Sequence, residues 1–199
     1  MFKDRIILDL CGGTGAWSKP YADAEYDVRI VTLPNNDVRE YVPPKHVYGI
    51  LAAPPCTMFS LARTRAKTRR DFRVGMEIVS ACLGIIWECR YEPLYRRDDA
   101  LRFWALENPV GFLRQFLGMP TYTFNPSDHG DMYTKKTDIW GYFNLPKRSP
   151  VDLDDDTLWR CSQNNRKLPS IGGITGSGQA ARRAITPPRF AEAFFKANP

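Results

Sequence analysis

The sequence predicts an α/β fold with a mostly parallel, twisted sheet and flanking helices. Three observations predict it. Short apolar runs alternate with a helical period, glycine- or proline-rich turns follow those runs, and 199 residues give room for one sizeable core rather than two. A single domain over 1–199 is expected.

The elements follow in order. Residues 5–10 are a short apolar run stopped by Gly12-Gly13-Thr14-Gly15, and residues 17–21 open a short helix or turn. That order reads as strand, glycine turn and crossover. Residues 27–33 (DVRIVTL) form a second strand stopped by Pro34, and residues 47–52 a third that runs into Pro54-Pro55-Cys56. Between 73 and 90, Val74, Ile78, Val79, Cys82, Ile85, Ile86 and Cys89 recur at helical spacing. Residues 101–106 are a fourth strand ending in Glu107-Asn108-Pro109, with further strands expected at 121–125 and 138–143. The stretch 149–156 (SPVDLDDD) reads as an acidic loop. The glycine-rich 171–179 either wraps over a ligand or is a plain loop. Thr186-Pro187-Pro188-Arg189 starts a last helix carrying Phe190, Ala193, Phe194 and Ala197.

Composition narrows the class. Hydrophobic residues make up 43% and charged residues 25%, and no apolar run approaches the roughly 18 residues of a membrane helix. The N-terminal MFKDRIILDLCGG lacks the order of a secretion signal, so a cytoplasmic protein without a membrane partner is expected. Five cysteines without regular spacing fit a reducing compartment, and with His46 and His129 far apart no metal site is expected. The net charge is +6, and residues 62–73 (ARTRAKTRRDFR) carry Arg63, Arg65, Lys67, Arg69, Arg70 and Arg73 against Asp71 alone. Such a run is either a solvated loop or a set of phosphate contacts.

In parallel α/β sheets ligands sit beyond the carboxyl ends of the strands. The glycine turn, the Pro-Pro-Cys turn and the Glu-Asn-Pro segment each follow a predicted strand, so the fold would gather them at one edge. Glycines at 12, 13 and 15 let a ligand approach the main chain, although the order is not GxGxxG. Asp37 either accepts a hydrogen bond from an adenosine-type cofactor or simply forms a turn. Pro54 and Pro55 restrict where the Cys56 thiol stands, which suits a nucleophile as well as a buried cysteine. Glu107 reads as a partly buried acid or as a surface turn. Trp104, Trp140 and Trp159 fit base stacking or the core.

Residues 9–15 (DLCGGTG), 54–60 (PPCTMFS) and Glu107-Asn108-Pro109, in this order, resemble the cofactor, nucleophile and acid motifs of the cytosine-C5 DNA methyltransferases. That family's cysteine motif reads Pro-Cys-Gln-x-Phe-Ser. Pro55, Cys56, Phe59 and Ser60 match it, with Thr57 where glutamine is usual. Asp71-x-Arg73 resembles the Asp-x-Arg that closes the family's catalytic loop, and Asp37, 19 residues before Cys56, stands about where the family has its adenine-binding aspartate. The likeness covers most of 5–114. Beyond it, Asp128-His129-Gly130 and residues 135–141 (KKTDIWG) look like short methylase-like proteins of phages.

The resemblance implies a Rossmann-like S-adenosylmethionine-dependent methyltransferase fold, S-adenosylmethionine as cofactor, DNA as partner and methyl transfer to cytosine C5. It implies Cys56 as nucleophile, Glu107 as acid, and Asp9, Gly12, Gly13, Gly15, Asp37 and Pro54 as cofactor contacts. Pro55, Ser60, Arg63, Arg65, Arg69, Arg73, Asn108, Lys135 and Lys136 are the substrate-binding residues it suggests. Three features depart from the family. No acidic ribose-binding residue follows the second strand, Lys135, Lys136 and Thr137 stand in place of a Gln-x-Arg-x-Arg segment, and the chain after Glu107 is too short for a large target-recognition region. Low sequence specificity, or specificity supplied by a protein partner, is the consequence expected. A DNA-binding or decoy protein without turnover and a methyltransferase of free cytosine nucleotides are the alternatives. Cys56 with Glu107 argues against the first, and the basic run against the second.

Overall fold

A computed structural model describes residues 2–61, 63, 66–91, 101–150 and 184–199. Its strands are β1 (Ile6–Leu10), β2 (Asp27–Val31), β3 (Val47–Ala52), β4 (Phe103–Pro109), β5 (Tyr122–Phe124) and β6 (Thr137–Tyr142). Helices are α1 (Lys19–Asp23), α2 (Phe72–Tyr91), α3 (Arg114–Leu117) and, at the end of the chain, α4 (Pro188–Ala197). The strands form one six-stranded sheet in the order β2-β1-β3-β4-β6-β5. Pairings β1 with β2, β1 with β3 and β3 with β4 are parallel, while β6 runs antiparallel to both β4 and β5. The sheet is therefore mixed, with only β6 reversed.

Each predicted strand and both long helices occur, with ends shifted by a few residues. The largest difference is β4. Glu107, Asn108 and Pro109 are not a turn beyond the strand but its last three residues, because β6 pairs with them through Ile139, Asp138 and Thr137. A non-local partner extends a strand where local composition reads as a turn.

Side-chain alternation sorts the core to the two faces of the sheet. Leu8, Leu10, Ile50, Ala52 and Leu106 pack with Val79, Cys82 and Ile86 of α2, and Trp140 joins this cluster. Ile7, Leu51, Phe103, Ala105 and Ile139 pack on the other face with Tyr21 of α1 and with Phe190 and Phe194 of α4. Helix α2 buries Gly75, Val79, Cys82, Ile86 and Cys89, one stripe at steps of three and four. Asp71 sets its start by accepting the Val74 amide at 3.1 Å. At α4, Pro188 occupies the first turn, where its missing N–H costs nothing. Its far end is tied by Asn198, whose carbonyl accepts Tyr21 Oη at 2.8 Å and whose Oδ1 accepts the Asn144 amide at 2.7 Å.

Among the expected ring stackers, Trp140 is core and Trp104 packs 6.0 Å from Trp87, while Trp159 lies outside the described residues. The loop 171–179 and most of 149–156 also lie outside them. No described helix is long and apolar enough to cross a membrane, and no group of three metal-ligating side chains occurs among the described residues.

Gly141 on β6 has φ of +151°, and a Cβ there would stand 2.1 Å from the Trp104 carbonyl oxygen. Backbone cannot yield as a flexible side chain can. Gly141→Ala should cost about 3 kcal/mol of stability, read as a lower urea midpoint at unchanged slope.

Candidate active site

The strand order reverses at β1, whose neighbours β2 and β3 lie on opposite sides, and such a switch point opens a crevice at the carboxyl edge. A cavity of about 250 Å³ lies there. Asp9, Cys11, Gly12, Gly13, Pro54, Pro55, Cys56, Glu107 and Lys135 line it. Residues from three parallel strand ends and from the start of β6 thus meet in one space. A larger cavity of about 560 Å³ lies between the turn Pro126–His129 and α4, and none of the expected site residues lines it.

The glycine turn is shaped by close contact with Asp9. A Cβ on Gly12 would fall 2.3 Å from Asp9 Cγ, whereas Gly13, at φ of +54°, faces open space. Asp9 shares a strand face with Ile7 and is fully buried. Its Oδ2 accepts Ser18 Oγ at 2.5 Å, and its Oδ1 has no hydrogen-bond partner among the described residues. Burial pushes its carboxyl up to about 6, with the Ser18 hydrogen bonds opposing. Nearby, Trp17 Nε1 is buried without a partner and the indole lines the same cavity. Gly15 closes the turn by donating to the Gly12 carbonyl at 2.9 Å.

The loop from Pro54 to Ser60 is held from three sides. Pro54 is buried, and its carbonyl accepts Asn108 Nδ2 at 2.9 Å. Pro55 is exposed with φ −52°, and Cys56, half-buried, begins the short turn Cys56–Met58. The Phe59 carbonyl accepts the Phe112 amide at 2.9 Å, and a Cβ on Gly111 would stand 2.3 Å from that oxygen. Arg70 donates from Nη1 to the Met58 carbonyl at 2.9 Å and from Nη2 to the Ser60 carbonyl at 2.8 Å, with its guanidinium 5.0 Å over the Phe112 ring. One arginine of the basic run therefore serves the loop itself.

Glu107 is 6% exposed, and its Oε1 lies 3.4 Å from Lys135 Nζ, which is also buried. The contact is an ion pair without hydrogen-bond geometry, so Oε1 keeps acceptor capacity toward the cavity. Asn108 Oδ1 is likewise buried and unpartnered.

Other expected residues stand elsewhere. Asp37 accepts the Arg39 guanidinium and backbone amide, and that hydrogen bonding lowers its carboxyl to about 2. It does not line the cavity. Arg63 donates to Thr68 Oγ1 at 2.7 Å. Lys67 and Arg69 are exposed on the approach to α2, Arg73 is exposed in its first turn, Lys136 is exposed, and Arg65 lies outside the described residues. Sequence reasoning missed Trp17, Ser18 and the clamping role of Arg70. Ser18 and Trp17 follow the glycine turn closely enough to be suspected; Arg70 carries no local signal that separates it from its basic neighbours.

No protein-family profile matches the chain, and no curated protein matches it. The similar solved structures include two of low identity. One is encoded within an E. coli prophage and described as a DNA modification methyltransferase: 14% identity over 74% of this chain and 52% of that one, TM-score 0.49. The other is a DNMT2 variant of Spodoptera frugiperda, with 17% identity over 87% of this chain and 60% of that one, TM-score 0.42. The chain spans little more than half the length of either. Likeness at this level assigns no residue a role, and the functional reading rests on the cavity.

Two outcomes follow from the site. Asp9 binds its proton up to about pH 6 in the native state but only to 3.8 when unfolded, so stability falls as pH rises between those values and is level above. Asp9→Asn removes that slope: the parent should lose about 2 kcal/mol of stability between pH 4.5 and 7.5, the part of the roughly two pKa units that this window spans, and the variant none, read as the difference in urea midpoints at the two pH values. Arg70→Ala leaves two carbonyls without their donor, and Arg70→Lys restores one at most. Iodoacetamide should then label Cys56 at a changed rate in both variants, with Arg70→Lys nearer the parent.

Proposed function

We propose that the protein is an S-adenosylmethionine-dependent methyltransferase that acts at C5 of cytosine in DNA through a covalent Cys56 adduct. The observation that carries this reading is the convergence of Cys56, Glu107 and the Asp9 glycine turn on one cavity. A thiol, a carboxyl and an open backbone cradle are the parts this chemistry requires.

The residues fit the cofactor. S-adenosylmethionine bears two positive centres, and the fully buried Asp9 offers an unpartnered Oδ1 beside a glycine turn with open space at Gly13. Asp9, Gly12 and Gly13 would hold it, Trp17 and Pro54 would flank it, and it would supply the methyl group as an electrophile. Asp37 would contribute only after exchanging Arg39.

At the substrate end, a cytosine extruded from the stack would meet Cys56 and Glu107 together. The Cys56 thiolate adds to C6 and forms a C–S bond, and the ring becomes nucleophilic at C5. Glu107 hydrogen-bonds the N3 edge, and Lys135, paired with it, is the cation available to orient the base. After C5 has gained its methyl group, a water acting as base takes the C5 proton, the electron pair returns to the ring and the thiolate is expelled, which splits one hard step into two easier ones. Asn108 holds the loop through Pro54, while Pro55 and Ser60 border it. Arg69 and Arg73, with Lys67, are the exposed cations placed to meet phosphates; Arg63 and Arg65 belong to the same run. Specificity would be low or would come from a protein partner.

A duplex bearing 5-fluorocytosine in many sequence contexts tests this, because fluorine at C5 blocks the final elimination. With S-adenosylmethionine, the parent protein should form a denaturation-resistant adduct and Cys56→Ala none. Absence of an adduct on duplex, single strand and nucleotide, with cofactor binding shown separately, would identify a binding protein without turnover.

A further inference from the structure

Two thiols meet at the cofactor end of the cavity, and the proposed methyl transfer uses neither. Cys11 Sγ lies 4.0 Å from Cys82 Sγ, across 71 positions of sequence. Cys11 is half-buried and lines the cavity, whereas Cys82 is fully buried in α2. Small molecules entering the cavity therefore reach Cys11 first.

We propose that Cys11 and Cys82 form an oxidisable dithiol whose disulfide, made by hydrogen peroxide or an organic hydroperoxide, closes the cofactor end of the cavity. The identity of the excluded ligand rests on the function proposed above; the dithiol does not. In the first step the Cys11 sulfur attacks the O–O bond and becomes a sulfenic acid, and the leaving oxygen departs as water for hydrogen peroxide. In the second, the Cys82 sulfur attacks the Cys11 sulfur, the S–O bond breaks, and hydroxide leaves with the Cys82 proton as water. The two thiols give up two electrons and the peroxide takes both.

The pair is asymmetric in the sense this order requires. The hydrogen bond from Cys82 lowers the Cys11 thiol, against burial and the carboxylates of Asp9 and Asp37, while that same contact and burial push Cys82 up. Cys11, which also faces the cavity, is thus the attacking sulfur and the buried Cys82 the resolving one.

Closure follows from which side can yield. A disulfide needs about 2.05 Å between sulfurs, so the two must close by about 2 Å. Cys82 sits in a 20-residue helix locked into the core. Cys11 sits in a turn at φ +57°, followed by Gly12 and Gly13. The turn moves, and its backbone is the cavity wall. Linkage makes the effect reciprocal: a ligand that binds the reduced form better also opposes oxidation by the same factor.

The test treats the full chain with stepwise hydrogen peroxide and maps peptides without reduction. A Cys11–Cys82 link that dithiothreitol reverses is expected, with Cys82→Ala stopping at a dimedone-reactive Cys11. A Cys11 sulfenic acid that never resolves in the parent, or a link from Cys11 to Cys56 instead, would overturn the proposal. Calorimetry should then show S-adenosylmethionine binding the linked form about tenfold more weakly, and saturating cofactor raising the pair's reduction potential by the matching amount, about 30 mV. Unchanged affinity in the linked form would overturn the closure. Hydrogen exchange of the 11–15 turn reads the rearrangement without any cofactor. If S-adenosylmethionine binds neither form, a mapped link with altered exchange at 11–15 sustains the dithiol while the cofactor reading falls, and unaltered exchange refutes the closure.

Discussion

The hydrogen bond from Asn108 Nδ2 to the Pro54 carbonyl, 2.9 Å long and buried at both ends, is the constraint on which the site depends. Parallel pairing of β3 with β4 sets Ala52 beside Leu106, so the Pro54 turn runs beside the last three residues of β4. Beyond that point the Ala53 amide still donates to the Leu10 carbonyl at 2.9 Å, but Pro54 and Pro55 cannot donate backbone hydrogen bonds. The Pro54 carbonyl is the group left to tie down, and Asn108, one residue after Glu107, ties it. Cys56 and Glu107 are thereby brought into one cavity although 51 positions separate them. An unmatched buried amide and carbonyl would each cost about 1–3 kcal/mol, which is why this bond decides the loop's course.

Around that bond the protein buries several polar groups. Asp9, Glu107, Asn108, Lys135 and Asp138 all lie near the carboxyl edge, and Asp138 is held by Nε and Nη2 of Arg114 and by Thr123 Oγ1. The Asp138 network is satisfied and faces the end of β4 through its pairing with Asn108. Asp9, Glu107 and Asn108 each keep an oxygen without a hydrogen bond. Polar groups left short of partners in a core are costly, and proteins tolerate that cost where a ligand completes the set. The sheet is rigid where Arg114 and Asp138 hold it and incomplete where the cavity opens.

Much of this was legible in the chain, for identifiable reasons. Strands β1 and β3 were plain because buried parallel strands read as continuous apolar runs, and α2 because its buried stripe is long. The convergence of the glycine turn, Pro-Pro-Cys and Glu107 followed from strand polarity alone. What stayed hidden was non-local. The extension of β4 through Pro109 depends on β6, which lies almost thirty positions later. Arg70 looks like any member of a basic run until Met58 and Ser60 turn their carbonyls toward it. Asp37 had a plausible spacing, but nothing local announced that Arg39, two residues on, holds its carboxylate.

The most direct test of the central claim, that Cys56 adds to cytosine C6 within this cavity, is release of tritium from DNA labelled at cytosine C5. Addition at C6 makes the C5 hydrogen exchangeable with water. The account predicts tritium in the solvent with the parent protein and none above background with Cys56→Ala, while both bind DNA equally. Retention of all label by a parent protein that binds both the DNA and S-adenosylmethionine would contradict it.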